Sequence, residues 1–234
     1  MRHNTAKRFD DTNGVVVYRY MGYKEERLMD LLRNHRLHIS NIEKQEDSFE
    51  KTLECIDAED SCRTEVQDIM CKQYGFISYT VSDSNPLHWE KYARRRTGVA
   101  FEFFYPIETL PILKKIHYGV PHTKFSKGYL EGLSQEDYSN MMDVLIENHL
   151  QFKDAEQFLD EEEWRQIFVV EGPMTSPNVV REPSGYFYYF DKKCLRRIIL
   201  GSSSTVSCRQ VKGMLDFVGG YDHVEVLLSG VSLG

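Results

Sequence analysis

The chain has 234 residues, 41% of them hydrophobic, and a formal net charge of -7. That length and composition suit one sizeable core, and the acidic balance excludes a protein whose whole surface embraces nucleic acid, leaving room only for a local basic stretch such as Lys91, Arg94, Arg95 and Arg96. Five cysteines (Cys55, Cys62, Cys71, Cys194, Cys208) without a CxxC pair suggest neither a disulfide framework nor a zinc knuckle, and the start lacks the apolar core of a signal peptide, so the expected compartment is the cytoplasm, with no membrane partner.

Residues 1–13 are polar and read as a flexible N-terminus, ahead of a single catalytic-type domain over 14–234. GVVVYRYM, after Gly14, is β-branched and aromatic and predicts a first strand. YKEERLMDLLRNH places Leu28, Leu31 and Leu32 on one helical face, and RLHIS turns Leu37 and Ile39 inward as a second strand. A polar loop with one buried residue, Phe49, comes next, and Lys51 to Tyr74 reads as helical from Leu53, Ile56, Val66, Ile69 and Met70, with Gly75 ending it.

FISYTVS then alternates. Phe76, Ser78, Thr80 and Ser82 share one face, Ile77, Tyr79 and Val81 the other, so hydroxyls line a wet face or a site. DSNPLHWEKYARRR is expected as a helix, capped by Ser84 or Asn85 with Pro86 in its first turn, and its arginines read as a solvated helix end. GVAFEFFY is a strand, LKKIHYGVP a short strand, and 135–157 a long helix begun by Ser134. In FLDEEEWRQIFVV a period of two places Glu161, Glu163, Arg165, Ile167 and Val169 on one strand face. GYFYYF, LRRIIL and VEVLL are further strands, and the sum predicts an α+β domain around a mainly antiparallel sheet with flanking helices.

Several segments together, VVYRYM, RLHIS with DSFE, FISYTVSDSNPLHWEKYARRRTGVAFEF, FKDAEQFLDEEEWRQI and LRRIILGSSS, resemble in this order the bacterial family of domain of unknown function 2971 over nearly the whole chain. Its most specific pieces are the pattern of Trp89, Tyr92, Gly98 and Val99 and the E-x-E-W-R pattern of Glu161, Glu163, Trp164 and Arg165. Phe158 stands where the family usually has tryptophan, and QEDS where it usually has asparagine-aspartate-proline. The order of motifs is also similar to the ADP-ribosyltransferase superfamily: an aromatic or basic residue on a first strand, a hydroxyl strand leading to a helix, and a late strand bearing E-x-E.

That second likeness implies a split sheet, NAD as substrate, and transfer of ADP-ribose to a bacterial macromolecule, RNA, DNA or protein. It also implies a toxin or phage-defence role with an antitoxin partner. Breaking the bond to nicotinamide builds positive charge on the ribose, which a fixed carboxylate stabilises. Glu163 is the leading catalytic candidate, with Glu161 orienting the nucleophile or sharing the role. Ser78, Thr80 and Ser82 are candidates for the nicotinamide amide, Trp89 and Tyr92 for the ring, and Arg19, beside Tyr18, for the pyrophosphate. Each has a plainer alternative. The glutamates suit a solvated strand entry with Glu163 paired to Arg165, Trp89 and Tyr92 suit a core, and Arg19 suits a surface stack on an aromatic ring. Two rival classes stay open: a non-enzymatic interaction module, and a ribonuclease using Arg33 and His38. The scattered histidines offer no metal site, and no glycine-rich dinucleotide or phosphate loop is present.

Overall fold

The computed structural model describes residues 14–42, 54–55, 60–106, 113–119, 124–126, 128, 131–153, 158–172 and 175–230, and for 54–55 and 60–63 the backbone alone. The expected flexible N-terminus and the buried Phe49 lie outside the described residues, as do the side chains of Leu53 and Ile56.

The β-branched opening segment forms β1 (Gly14–Met21). Helix α1 (Glu25–Asn34) follows and buries Leu28, Leu31 and Leu32, the i, i+3, i+4 set of an amphipathic helix. It ends on His35 in the left-handed region, φ 40°, a place more often taken by glycine or asparagine. Short strands β2 (Arg36–His38), β3 (Ser40–Asn41) and β4 (Glu54–Cys55) lead to α2 (Asp60–Gln73) and β5 (Tyr74–Thr80). The helix expected over 51–74 therefore starts later. Gly75 does not end it but sits inside β5 opposite Phe168, where a Cβ would lie 2.6 Å from the Ile39 side chain. Ser82 falls beyond the end of β5.

Asn85 caps α3 (Pro86–Lys91) by accepting from the Leu87 N–H at 2.9 Å, with Pro86 in the first turn. This helix is much shorter than expected. Arg94, Arg95 and Arg96 do not extend it; all three are left-handed, at φ 47°, 54° and 65°. The chain is hooked back by Arg95 N–H to Glu90 O and Arg96 N–H to Trp89 O, both 2.9 Å. Each left-handed non-glycine residue costs roughly 1–2 kcal/mol. Two glycines hold the hook: a Cβ on Gly98 would lie 2.2 Å from Met21 O, and one on Gly201 2.0 Å from Arg96 O.

Next come β6 (Val99–Pro106), β7 (Leu113–Lys115), β8 (His117–Tyr118) and β9 (Lys124–Phe125). The single strand expected over 113–121 is thus two, in different sheets. Helix α4 (Gln135–His149) is capped by Ser134, which accepts from Asp137 N–H at 3.1 Å, and it stops well before residue 157 because β10 (Phe152–Lys153) intervenes. A 3-10 turn over Leu159–Glu161 and a left-handed Glu162, φ 45°, precede β11 (Glu163–Val169). Glu161 is therefore not on the strand with Glu163. The three expected late strands follow as β13 (Gly185–Tyr189), β14 (Leu195–Leu200) and β15 (Glu225–Leu228), joined by β12 (Val179–Glu182) and by α5 (Cys208–Val218), which a Ser207/Gln210 capping box starts.

The main sheet runs β15-β14-β6-β1-β5-β11-β7, with β3 also on β5, and every pair except β14–β15 is antiparallel. This is the expected α+β class with a mainly antiparallel sheet. Val17, Phe101, Phe103, Ile77 and Ile198 from one face form the large core with α1 and α5. On the other face Phe76 and Ile167 pack with α2 and α4, while Tyr18, Ala100 and Ile199 pack with Trp89 and Ala93. β1 pairs with β6 at all eight of its residues but with β5 only at Tyr18↔Thr80, which leaves a seam in the middle of the sheet. No helix among the described residues is long and apolar enough to cross a membrane.

Candidate functional site

A cleft of about 480 Å³ opens at that seam, within the range of small-ligand sites of about 300–1,000 Å³. Seven of the nine candidate residues line it: Tyr18 and Arg19 from β1, Ser78 and Thr80 from β5, Tyr92 after α3, and Glu161 and Glu163 around the start of β11. Two do not. Ser82, beyond the strand end, lines a neighbouring surface groove with Asn85 and Asp160. Trp89 is wholly buried and donates its indole N–H to Asp83 O at 2.9 Å, so it serves the core rather than a ligand. Arg33 and His38 also stay away, Arg33 over the Phe217 ring and His38 against Phe187.

Both glutamates are buried, 3% exposed for Glu161 and 4% for Glu163, which removes the solvated strand entry as an account of them. The pairing of Glu163 with Arg165 is real. Arg165 Nε donates to Oε1 at 2.8 Å and Nη2 to Oε2 at 3.2 Å, a two-pronged contact. The guanidinium is fixed from behind by Leu150 O at 3.0 Å and lies over the Phe76 ring at 4.1 Å. Lys153 Nζ bridges the two carboxylates, 2.8 Å from Glu161 Oε2 and 3.1 Å from Glu163 Oε2. Glu161 Oε1 accepts from Lys91 at 3.2 Å and from the Tyr92 hydroxyl.

The charge balance follows. Burial alone raises the Glu163 carboxyl, but the charges of Arg165 and Lys153, with hydrogen bonds from Arg165 and the Ser78 hydroxyl, outweigh it and hold the pKa at about 2. Burial also works against Glu161, and Lys153, with the Tyr92 hydroxyl, again brings it below its ordinary value. Lys153 is lowered by burial and raised more by the two carboxylates, so it stays an ammonium. Four cations (Arg19, Lys91, Lys153, Arg165) and two carboxylates make the cleft wall net positive inside an acidic protein.

At the seam itself, side chains occupy the space between β1 and β5. Arg19 Nη1 donates to Ser78 O at 2.9 Å, a place inside the cleft rather than the surface stack that its sequence neighbours suggest. The Tyr20 hydroxyl donates to Ser82 O at 3.0 Å. Thr80 Oγ1 is buried and has no hydrogen-bond partner among the described residues, and an orphaned hydroxyl in a cleft wall suits a ligand's polar group. His88 is driven below its ordinary pKa by burial and is neutral at pH 7; its Nε2 lies 2.9 Å from Glu161 O, so this nitrogen carries the proton. The His88 ring packs between Tyr20 and Tyr92, with centroids at 5.1 and 5.3 Å.

Sequence reasoning missed Lys153, His88, Tyr20 and Phe158 as lining residues. Tyr20 carried a signal that was not used, since a period of two places it on the same face of β1 as Tyr18; Lys153 lay inside a segment whose periodicity reads as helix. The Phe158 ring lies 4.0 Å from Lys153 Nζ.

No protein-family model matches the chain, and no curated protein and no solved structure resembles it at a significant level.

Proposed function

We propose that the seam cleft binds NAD and that the protein transfers ADP-ribose from it to a macromolecular acceptor. The observation that carries this reading is a buried carboxylate ionised at neutral pH, Glu163, facing the hydroxyl strand across the β5–β11 pair, in a cleft that also holds Arg19. The motif order that resembles the ADP-ribosyltransferase superfamily supports it. The fit to NAD rests on this chain's groups: Arg19 for the pyrophosphate, Ser78 and the orphaned Thr80 hydroxyl for the amide or ribose, and the Tyr20 and Phe158 rings for flat heterocycles.

The reaction breaks the bond between ribose C1′ and the nicotinamide nitrogen, and the electron pair leaves with nicotinamide. The acceptor's nucleophile forms the new bond to C1′, and its proton passes to water. A carboxyl with a pKa of about 2 is a weak base at pH 7. The role that suits Glu163 is therefore electrostatic, its charge facing the cation that develops on the sugar. Lys153 is shared between two carboxylates. It can stay on Glu161 while a ribose hydroxyl takes its place on Glu163 Oε2.

Nicotinamide release from NAD, with and without bacterial lysate, tests the reading. Wild type is expected to release it, and Glu163→Gln to do so about 10²–10⁴-fold more slowly, with Glu161→Gln affected less. No release together with no NAD binding by calorimetry overturns it. One observation favours a second reading, a non-enzymatic site for an anionic ligand: both carboxylates are already matched by cations. That reading predicts binding of a polyanionic ligand and no chemistry.

A further inference from the structure

The hook after α3 presents Arg94 and Arg95 to solvent, and among the described residues neither guanidinium is paired with a carboxylate. Their neighbour Arg96 takes the nearby acidic group, Glu90, at 2.9 Å. The conformation that displays them is left-handed at three successive arginines, a region that asparagine or glycine would occupy with less steric cost. Strain of this kind persists where the surroundings enforce it, and here Gly98 and Gly201 do so by close backbone approach. Ser203 N–H donates to Arg96 O at 3.1 Å, which brings the exposed Ser202 and Ser203 beside the arginines. The same turn connects directly to the cleft, because Lys91 and Tyr92 line it; Lys91 is exposed and Tyr92 keeps 36% of its surface accessible.

We infer that this hook is the acceptor-docking surface of the cleft and that the acceptor is a single-stranded polynucleotide. The inference rests on the ADP-ribosyl-transfer reading for the chemistry, though the docking does not. Arg94 and Arg95 hold successive phosphates, the Ser202 and Ser203 hydroxyls add donors, and the accessible part of the Tyr92 ring stacks a base at the cleft mouth. A single strand fits better than a duplex because an unstacked base can reach an aromatic ring inside a cleft. Against an overall charge of -7, two adjacent arginines without carboxylate partners among the described residues form a local positive patch.

Fluorescence anisotropy of the full chain with a labelled strand of about 12 nucleotides, as RNA and as DNA, tests this. Wild type is expected to bind at low salt and to weaken steeply between about 50 and 200 mM. The double variant Arg94→Asn, Arg95→Asn keeps the left-handed turn without the charge. It is expected to melt at the same or a higher temperature, to bind about ten-fold more weakly, and to lower the salt slope by about 1.4, two phosphate contacts at about 0.7 each. The Arg94→Lys, Arg95→Lys pair is expected to retain most of the binding. If the asparagine pair fails to fold, the corresponding glycine pair replaces it. Binding of one sugar type alone supports the inference and identifies the acceptor as RNA or DNA.

Wild type that binds neither strand overturns the inference, as does a folded asparagine pair with unchanged affinity and slope. Nicotinamide release to water separates the two proposals. Release without strand binding overturns the docking surface and leaves the NAD reading standing. Strand binding that the asparagine pair loses, with neither release from NAD nor NAD binding by wild type, supports the docking surface and overturns the NAD reading.

Discussion

The two edges of β1 are built from the same residues and behave oppositely. Toward β6 the strand is hydrogen-bonded along its whole length, from Gly14↔Pro106 to Met21↔Val99. Toward β5 it touches at Tyr18↔Thr80 only, and the backbone carbonyls there are met by side chains, Arg19 on Ser78 O and Tyr20 on Ser82 O. Buried carbonyls must be paired one way or another. The closed edge does this with backbone and makes core; the open edge does it with long polar side chains and makes a cleft. A sheet can thus hold a site at its centre without losing its order, provided that the opening strand is secured along its other edge.

Three experiments sharpen that contrast. On the closed edge, Phe101→Ala removes a wholly buried ring and is expected to cost about 3–5 kcal/mol in urea unfolding, equally at neutral and acid pH. On the open side stability should depend on pH instead. The Glu163 carboxyl sits below its ordinary value of 4.5, at about 2, so its contribution is fully present above about pH 4.5 and is lost as the pH falls toward 2. The loss is expected to reach about 3 kcal/mol in wild type and to be absent in Glu163→Gln; equal acid slopes in the two proteins would contradict the pairing described for this carboxylate. The smallest effect belongs to Tyr20→Phe, which deletes one hydrogen bond to Ser82 O and is expected to cost about 1 kcal/mol. If the seam widens, NAD binding by calorimetry should weaken more than this stability change suggests.

The sequence carried the closed edge more completely than the open one, for a physical reason. Strand periodicity reports which residues share a face, and Val17, Phe101, Phe103 and Ile77 declare the core through it. The cleft depends on where regular structure stops, and stopping is not periodic. The alternation of FISYTVS rightly placed Ser78 and Thr80 on a polar face but carried Ser82 along, because nothing in the pattern marks the end of β5 at Thr80. Glu161 and Glu163 do face one cavity, yet they reach it by different routes, one from a 3-10 turn and one from a strand, with left-handed Glu162 between them. Lys153, which joins the two carboxylates, was hidden inside a helical pattern that breaks after His149. The arginine run misled most plainly. Its composition suits a helix end, whereas the left-handed hook is closed by backbone hydrogen bonds to Glu90 and Trp89 and by the close approach of Gly98 and Gly201, none of which composition reports.

The place of β1 in the sheet also bears on how the chain is made. It precedes every other strand among the described residues, yet its full-length partner is β6, whose residues Val99–Pro106 emerge only after α1, α2, β5 and α3. On the ribosome GVVVYRYM therefore waits as an unpaired apolar segment, a template for wrong pairing while it waits. The amphipathic α1, following directly, is the first local structure able to cover it, since Leu28, Leu31 and Leu32 share a core with Val15 and Val17. Nascent-chain lengths that stop short of β6 should thus be the ones that chaperones hold, and release should come when its last residues clear the exit tunnel.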